Sequence, residues 1–385
     1  MSWSETCPMK ERIKFILAYE TNTLPFSELC KDFQISRKTG YKWVNRYKGE
    51  GFEGLENQSR ARLHHPNQLS EEIECLILDA KRERSHWGPY KLIKWLKQEY
   101  SHLEWPASST AGDLLKRHGL VKPRKKRIRT PPYTQPFERC AASNDVWSID
   151  YKGQFMLGNG QYCYPLTLTD NYSRYLLACD AFEAISGLDV RKTLIRLFRE
   201  HGLPKAIKSD NGSPFSTRGL AGLSRLAVWW IKLGIIPERI KPGCPQENGR
   251  HERMHLTMKQ EVATPPKKTM LLQQSALDAF QDEFNHHRPH EGINNKRPAW
   301  LFTQSSRVYP EKIPQIEYDA NIITRKIRTN GTMKWRGEEI FVSETLTGER
   351  IGLIPISDLE WKIQFSQLSI GVFNEKLLKV RALNG

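Results

Sequence analysis

The sequence predicts a multidomain chain: helical through its first 120 residues, α/β with a mixed sheet in the middle, and a small all-β barrel at the end. Three observations predict it. Apolar residues recur at helical spacing from residue 9 to residue 120. From 144 onward, short alternating runs are interleaved with amphipathic helical stretches. After Pro310 only short alternating runs remain, joined by turns such as Asn330-Gly331 and Arg336-Gly337.

MKERIKFILAYE (9–20) carries Ile13, Phe15, Ile16 and Tyr19 on one helical face, FSELCKDF (26–33) is a second short helix, and 36–51 a third with Ser36 as its N-cap. A short helix, a tight turn and a basic, aromatic helix make a helix-turn-helix pattern, expected over 1–52. Its second helix would enter the major groove and present Arg37, Lys38, Thr39 and Lys42 to DNA. A three-helix bundle with a solvated basic face is the alternative. Residues 66–120 form a second such trio, opening with a cap at Ser70. VKPRKKRIRT (121–130) then packs six Lys or Arg into ten residues; Arg124, Lys125, Lys126 and Arg127 would pair with phosphates, in a basic linker over 121–143.

The α/β core is expected over 144–305. Strands are read at 144–155, 161–170, 175–182, 204–212 and 235–240, and helices at 187–202, 219–234, 245–261 and 272–288. That order, three strands and then alternating helices and strands, predicts a mixed sheet covered by helices. The barrel follows at 310–385.

Composition narrows the partner. Lys and Arg number 59 against 43 acids among 385 residues, a formal net charge of +16. Such an excess points to a polyanion, nucleic acid first and an acidic membrane surface second. No apolar run approaches the roughly 18 residues of a spanning helix, so no membrane partner is expected. The N-terminal stretch has no apolar core of a secretory signal. Seven scattered cysteines, never in a C-x-x-C pair, read as reduced thiols of a cytosolic protein, and the adjacent His pairs lack partner cysteines for a zinc module.

Three carboxylates stand at punctuation points. Asp150 lies inside the strand W-S-I-D-Y between apolar neighbours, where a charge needs a reason. Asp210 ends the strand KAIKS ahead of Asn211-Gly212. The third is Glu247 or Glu252 in PQENGRHERMH (245–255). Hard divalent cations require carboxylate oxygens, and two of them can grip both sides of a phosphoryl transfer. Among the other acids, Asp145 reads as an exposed turn residue, Asp170 as a strand-end turn and Asp180 as a solvent-facing strand position.

In this order the stretches DVWSIDYKGQF, LTLTDNYSRYLL, SDNGSPF, GCPQENGRHERMHLTMKQE and HHRPHEGINNKRP, spread over 144–298, resemble the integrase catalytic core of DDE transposases and retroviral integrases, a ribonuclease-H-like fold. With its helical and β flanks, the whole chain resembles a bacterial insertion-sequence transposase. The resemblance implies that the third acid, three residues past Gly249, is Glu252. Helix geometry agrees that Glu247 and Glu252 cannot face one ion, since five residues rotate about 140°. It implies Asp150, Asp210 and Glu252 as ligands of two Mg²⁺ ions, with Mn²⁺ as a substitute, and DNA-end contacts from His255 and Lys259 on the face of Glu252. The 41 residues between Asp210 and Glu252 are more than many members have. It further implies cleavage at element ends, strand transfer by a 3′-hydroxyl into target DNA, a homo-oligomer on double-stranded DNA, and a cytoplasmic, nucleoid-associated location. A catalytically inactive DNA-binding regulator and a ribonuclease-H-like nuclease are the alternatives.

Overall fold

The computed structural model describes residues 7–58, 69–121, 140–217, 219–240 and 249–383. The chain divides into two compact units, Met1–Leu69 and Ser70–Gly385.

The first unit holds α1 (Pro8–Glu20), α2 (Phe26–Asp32) and α3 (Arg37–Glu50). Ser36 caps α3 as expected, its hydroxyl accepting from the Thr39 amide at 3.1 Å. Phe15, Ile16, Leu29, Cys30 and Val44 close a small core. Gly40 is where α3 meets α2: a Cβ there would lie 2.7 Å from Cys30 Sγ.

The second unit opens with α4 (Glu71–Glu83), α5 (Pro89–Glu99) and α6 (Ser108–Arg117), again with a serine cap, at Ser70. This trio is tied to the α/β core downstream. Arg84 Nε bonds Glu283 at 3.0 Å, Gln98 Nε2 bonds the Asn295 carbonyl at 3.0 Å, and Arg297 pairs with Glu99.

The core contains β1 (Val146–Tyr151), β2 (Phe155–Met156), β3 (Tyr162–Asp170), β4 (Leu176–Phe182), α7 (Gly187–His201), β5 (Ala206–Ser209), α8 (Arg225–Lys232), β6 (Ile236–Arg239), α9 (Gly249–Glu261) and α10 (Met270–Asp282). The sheet is mixed, as expected: the order is β2-β3-β1-β5-β6 with β4 also on β3. Strands β1 and β3 run antiparallel, whereas β1, β5 and β6 are parallel. Strand β4 feeds two layers, and a register shift in its pairing with β3, which skips Leu177, breaks the simple alternation there. Leu177 and Ala178 join α7 and α8 around Trp147, Phe198 and Trp230. Leu176 and Cys179 join α9 and α10 around Met254, Met258 and Phe280.

Helix α10 and the helical turn Glu283–His287 that follows it also shield the edge strand. Gln274 takes the Ala181 amide and reaches the Cys179 carbonyl, Gln281 donates to the Leu176 and Leu177 carbonyls, and Asn285 both takes and gives a bond at Leu176. Side-chain amides thus take the place of a neighbouring strand on an edge that would otherwise pair with another chain.

Two sequence expectations are corrected here. The helix expected over 219–234 begins only at Arg225, because Ser224 caps it through the Ala227 amide and the stretch before it is extended at Leu223. Asp145 is buried rather than exposed: it accepts from the Ala141 and Ala142 amides and pairs with Lys205 at 2.7 Å.

The remaining strands are β7 (Ile323–Lys326), β8 (Thr332–Trp335), β9 (Glu338–Phe341), β10 (Arg350–Pro355), β11 (Glu360–Phe365), β12 (Leu368–Asn374) and β13 (Lys379–Arg381). They form a five-stranded antiparallel sheet, β13-β12-β11-β10-β7, and a β8-β9 hairpin; β8 lies beside β7 and β9 beside β13, closing a small ring. Its core continues into the α/β region through Leu223, Ala227, Val228 and Ile231. Lys232 and Glu349 pair across that junction at 2.7 Å.

Candidate active site

Strand pairing brings the two aspartates together. Ser148 of β1 is in parallel register with Lys208 of β5, so two residues further along both strands Asp150 and Asp210 stand side by side. Neighbouring strands run about 4.8 Å apart. Asp210 follows the last residue of β5, where its Oδ1 accepts from the Gly212 amide at 3.2 Å. Gly212 leaves room for that carboxylate, since a Cβ would sit 2.9 Å from Asp210 Oδ2. Glu252 lies in the first turn of α9, exposed on the helix that packs over β1 and β3. Burial, then the charge of Asp210, and further the charge of Glu252 push the Asp150 carboxyl up to about 7. Burial also raises Asp210. All three expected acids therefore share one field, and the charge of Lys152 and the Tyr151 amide offset it only in part. A divalent cation held by carboxylate oxygens supplies that deficit.

A feature the motif reading missed lies on the other side of Asp150. His251 and His255 are one turn apart on α9, and both are buried against β3. Thr167 Oγ1 sits 2.7 Å from each Nε2, and Thr169 Oγ1 sits 3.0 Å from His251 Nδ1. His255 was expected to hold DNA; with its ring sealed under the sheet it offers little surface for that, which corrects the expectation. The signal that could have found the pair was its i, i+4 spacing alongside Met254 and Met258, the inward face of α9.

Of the remaining expected contacts, Lys259 is exposed near the C-terminal end of α9. Arg37, Lys38 and Lys42 are exposed on α3, where Lys42 lies 4.9 Å over the Trp43 ring; Thr39 is half-buried and shares a 2.9 Å bond with Ser36 Oγ. Arg124, Lys125, Lys126, Arg127 and Glu247 lie outside the described residues. Asp170 is a strand-end turn, as expected, capping the Ser173 and Asn144 amides. Asp180 is half-buried and tied to α7 through Thr193 and Arg196. Among the described residues, no helix is long and apolar enough to cross a membrane.

Comparison with known proteins joins this geometry to a family. Two profiles described as integrase core domain match residues 141–245 and 233–298. A helix-turn-helix domain matches 11–62, and a homeodomain-like domain matches 39–115. An uncharacterised protein of insertion element IS407 from Burkholderia multivorans is 27% identical over 246 residues, 63% of this chain and 85% of that protein. One of insertion element IS476 from Xanthomonas euvesicatoria is 28% identical over 253 residues, 64% of this chain and 69% of that one. The chain thus carries an integrase core domain and helix-turn-helix domains, and it is similar to proteins of bacterial insertion elements. These matches support an integrase or transposase function, and DNA is the partner that the matched domains imply. Among solved structures, the HTLV-2 integrase catalytic core domain in complex with magnesium is 14% identical, at a TM-score of 0.34 over 42% of this chain and 99% of that one. A chain of the simian T-cell lymphotropic virus intasome is 16% identical, at a TM-score of 0.38 over 71% of this chain and 97% of that one.

Proposed function

We propose that Asp150, Asp210 and Glu252 form the metal-dependent centre of a DDE transposase, cleaving DNA at the element's ends and joining the freed 3′-hydroxyls to target DNA. The observation that carries this reading is the Asp150 carboxyl, raised to about 7 by burial and by the charges of Asp210 and Glu252. Strand pairing sets Asp150 beside Asp210, and a cation between them would offset the repulsion.

Two Mg²⁺ ions bound there, with Mn²⁺ as a substitute, would make an attacking water or 3′-hydroxyl more acidic and offset charge on the leaving oxygen. The chain's own residues do the rest. Asp150 and Asp210 are fixed by paired strands, and Gly212 holds the Asp210 carboxylate in place through its amide. Glu252 stands on the open side of α9, with Lys259 two turns on to steer a phosphate backbone. The exposed Arg37, Lys38 and Lys42 of α3, with Thr39, are assigned to reading the terminal repeats, and Arg124, Lys125, Lys126 and Arg127 to phosphate contacts. Joining two ends implies a homo-oligomer on double-stranded DNA, in the cytoplasm at the nucleoid. The domains would then be 1–52 and 66–120 for DNA reading, 121–143 as a linker, 144–305 for catalysis and 310–385 as a supporting β unit.

The test is a gel assay with labelled element-end DNA and Mg²⁺, comparing wild type with Glu252→Gln and Glu247→Gln. Loss of cleavage and joining in Glu252→Gln alone, with DNA binding kept, supports the triad. Loss in Glu247→Gln alone moves the third ligand. A wild type that binds DNA without cutting it turns the reading to a regulator, and cutting without joining turns it to a nuclease.

A further inference from the structure

The turn between β3 and β4 places an arginine where the backbone suits glycine. Arg174 has a φ of +67°, and its amide closes the turn on the Asp170 carbonyl at 2.9 Å. A long side chain in that left-handed region is strained, and positions of this kind cluster at binding and active sites. Its Nη1 donates to the Asn171 carbonyl at 2.7 Å. Arg250, in the first turn of α9, donates to the same carbonyl at 3.1 Å. One neutral oxygen thus draws two guanidinium groups to a single point. Among the described residues Arg174 makes no ion pair and bonds through Nη1 alone, so the N–H groups of Nε and Nη2 remain for a ligand. Gly292 has no side chain to cover that edge: a Cβ there would lie 3.7 Å from Nη2. Asp170, next to the turn, is committed to the Ser173 and Asn144 amides.

Positive charge continues onto the neighbouring elements. Arg253 follows Arg250 on the same flank of α9 and is exposed. Lys91 of α5 lies 5.9 Å from the Trp87 ring, which Arg288 covers at 5.5 Å. Burial, then the charge of Arg288, push Lys91 down to about 8. His290 lies in the field of Lys91, Arg288 and Arg174 alike. Two acids share the region: Glu261 is bonded to Arg288 at 2.7 Å, and Glu291 lies in the field of Lys91. About 200° of helix rotation separates Arg250 from Glu252, so this cluster lies on the other flank of α9 from the candidate metal ligand.

We propose that Arg174 and Arg250 form a cradle for a backbone phosphate of duplex DNA, with Lys91 and Arg253 as further contacts to the same backbone. Guanidinium forks match phosphate oxygens, and two of them together offset the charge. The choice of partner rests on the reading of this chain as a protein that acts on DNA. A phosphate held on that flank is not the one being cut, so the contact positions the duplex and carries no sequence information.

The experiment measures binding of the full chain to fluorescent end DNA and to a scrambled duplex, without magnesium, across a salt series. Arg174→Gly is the central variant, because glycine suits the left-handed backbone while the guanidinium is lost. It should weaken both duplexes alike, by roughly 10-fold, and lower the salt slope by about 1. Its melting temperature should equal or exceed that of wild type, which separates a lost contact from a lost fold. Arg250→Gln should act in the same way, and Lys91→Gln by less. Wild-type affinity and slope in Arg174→Gly would overturn the proposal, as would a loss confined to end DNA. Millimolar inorganic phosphate probes for a free anion. If it raises the melting temperature of wild type but not of Arg174→Gly, while both bind duplex equally, the site takes a small anion and the cradle for DNA is wrong. Cleavage of end DNA in Mg²⁺ judges the catalytic reading separately. A wild type that cleaves, with an unchanged slope in Arg174→Gly, keeps that reading and removes the cradle. A wild type that binds duplex without cutting it, with the slope lowered in Arg174→Gly, does the reverse.

Discussion

The two ends of β1 carry acids of opposite fate. At the start, Asp145 is buried, yet its carboxyl lies below the usual range: burial works against ionisation, but Lys205 and the amides of Ala142 and Ala141 outweigh it. Five residues on, burial raises Asp150 to about 7, and the charges of Asp210 and Glu252 add to it. Burial is common to both, so burial alone does not mark a functional acid. The difference lies in the partners. Asp145 has two amides and an ammonium within bonding distance; at Asp150 the Tyr151 amide and the Lys152 charge are outweighed by burial and two other carboxylates. One acid holds the fold together, and the other is held by it.

The comparison breaks most visibly in activity. Asp150→Asn should abolish metal-dependent cleavage, a loss of several kcal/mol of transition-state stabilisation or roughly a thousandfold or more, with DNA binding intact by gel shift. Asp145→Asn should leave cleavage measurable at neutral pH. If both variants lose cleavage alike, the contrast between them is false.

Gly212→Ala sharpens the same contrast from the Asp210 side. Its added methyl would lie 2.9 Å from Asp210 Oδ2, so the carboxylate must shift. A displacement of an ångström costs up to about a hundredfold in rate. Single-turnover cleavage should fall while the melting temperature stays near that of wild type.

Stability should show the opposite order. Asp150→Asn in metal-free protein removes a buried charge among like charges and should stabilise on the order of 2 kcal/mol, read as a melting temperature raised by a few degrees. Asp145→Asn should destabilise by about 1–3 kcal/mol, since it strips a buried acceptor from two amides and an ion pair.

The smallest expected effect is in acid. Because the folded pKa of Asp145 is depressed, its contribution is fully present above the ordinary carboxylate pKa and lost as pH falls through the lowered folded value. Denaturation midpoints of wild type and Asp145→Asn should therefore converge below about pH 3. Curves that stay parallel there would assign the loss to packing rather than to charge.

Much of this was legible in the chain by itself. Serine caps at 36 and 70, the alternation of β1 and β3, and the acids at strand ends place most elements and all three candidate ligands, because caps, periodicity and punctuation act within a few residues. Burial of Asp145 and His255 was not legible. Lys205 lies 60 residues from Asp145, and Thr167 lies 88 from His255, so each pairing exists only once distant strands and helices have met. The late start of α8 has the same origin: local apolar pattern favoured a longer helix, but Leu223 is spent on the core of the β unit. The amides that α10 lays along β4 likewise read as ordinary polar helix residues until the edge they cover is known. Sequence determined which side chains could carry charge to a strand's end. Tertiary structure decided which of those charges would be neutralised, because that depends on long-range neighbours and on exclusion of water, neither of which local pattern encodes.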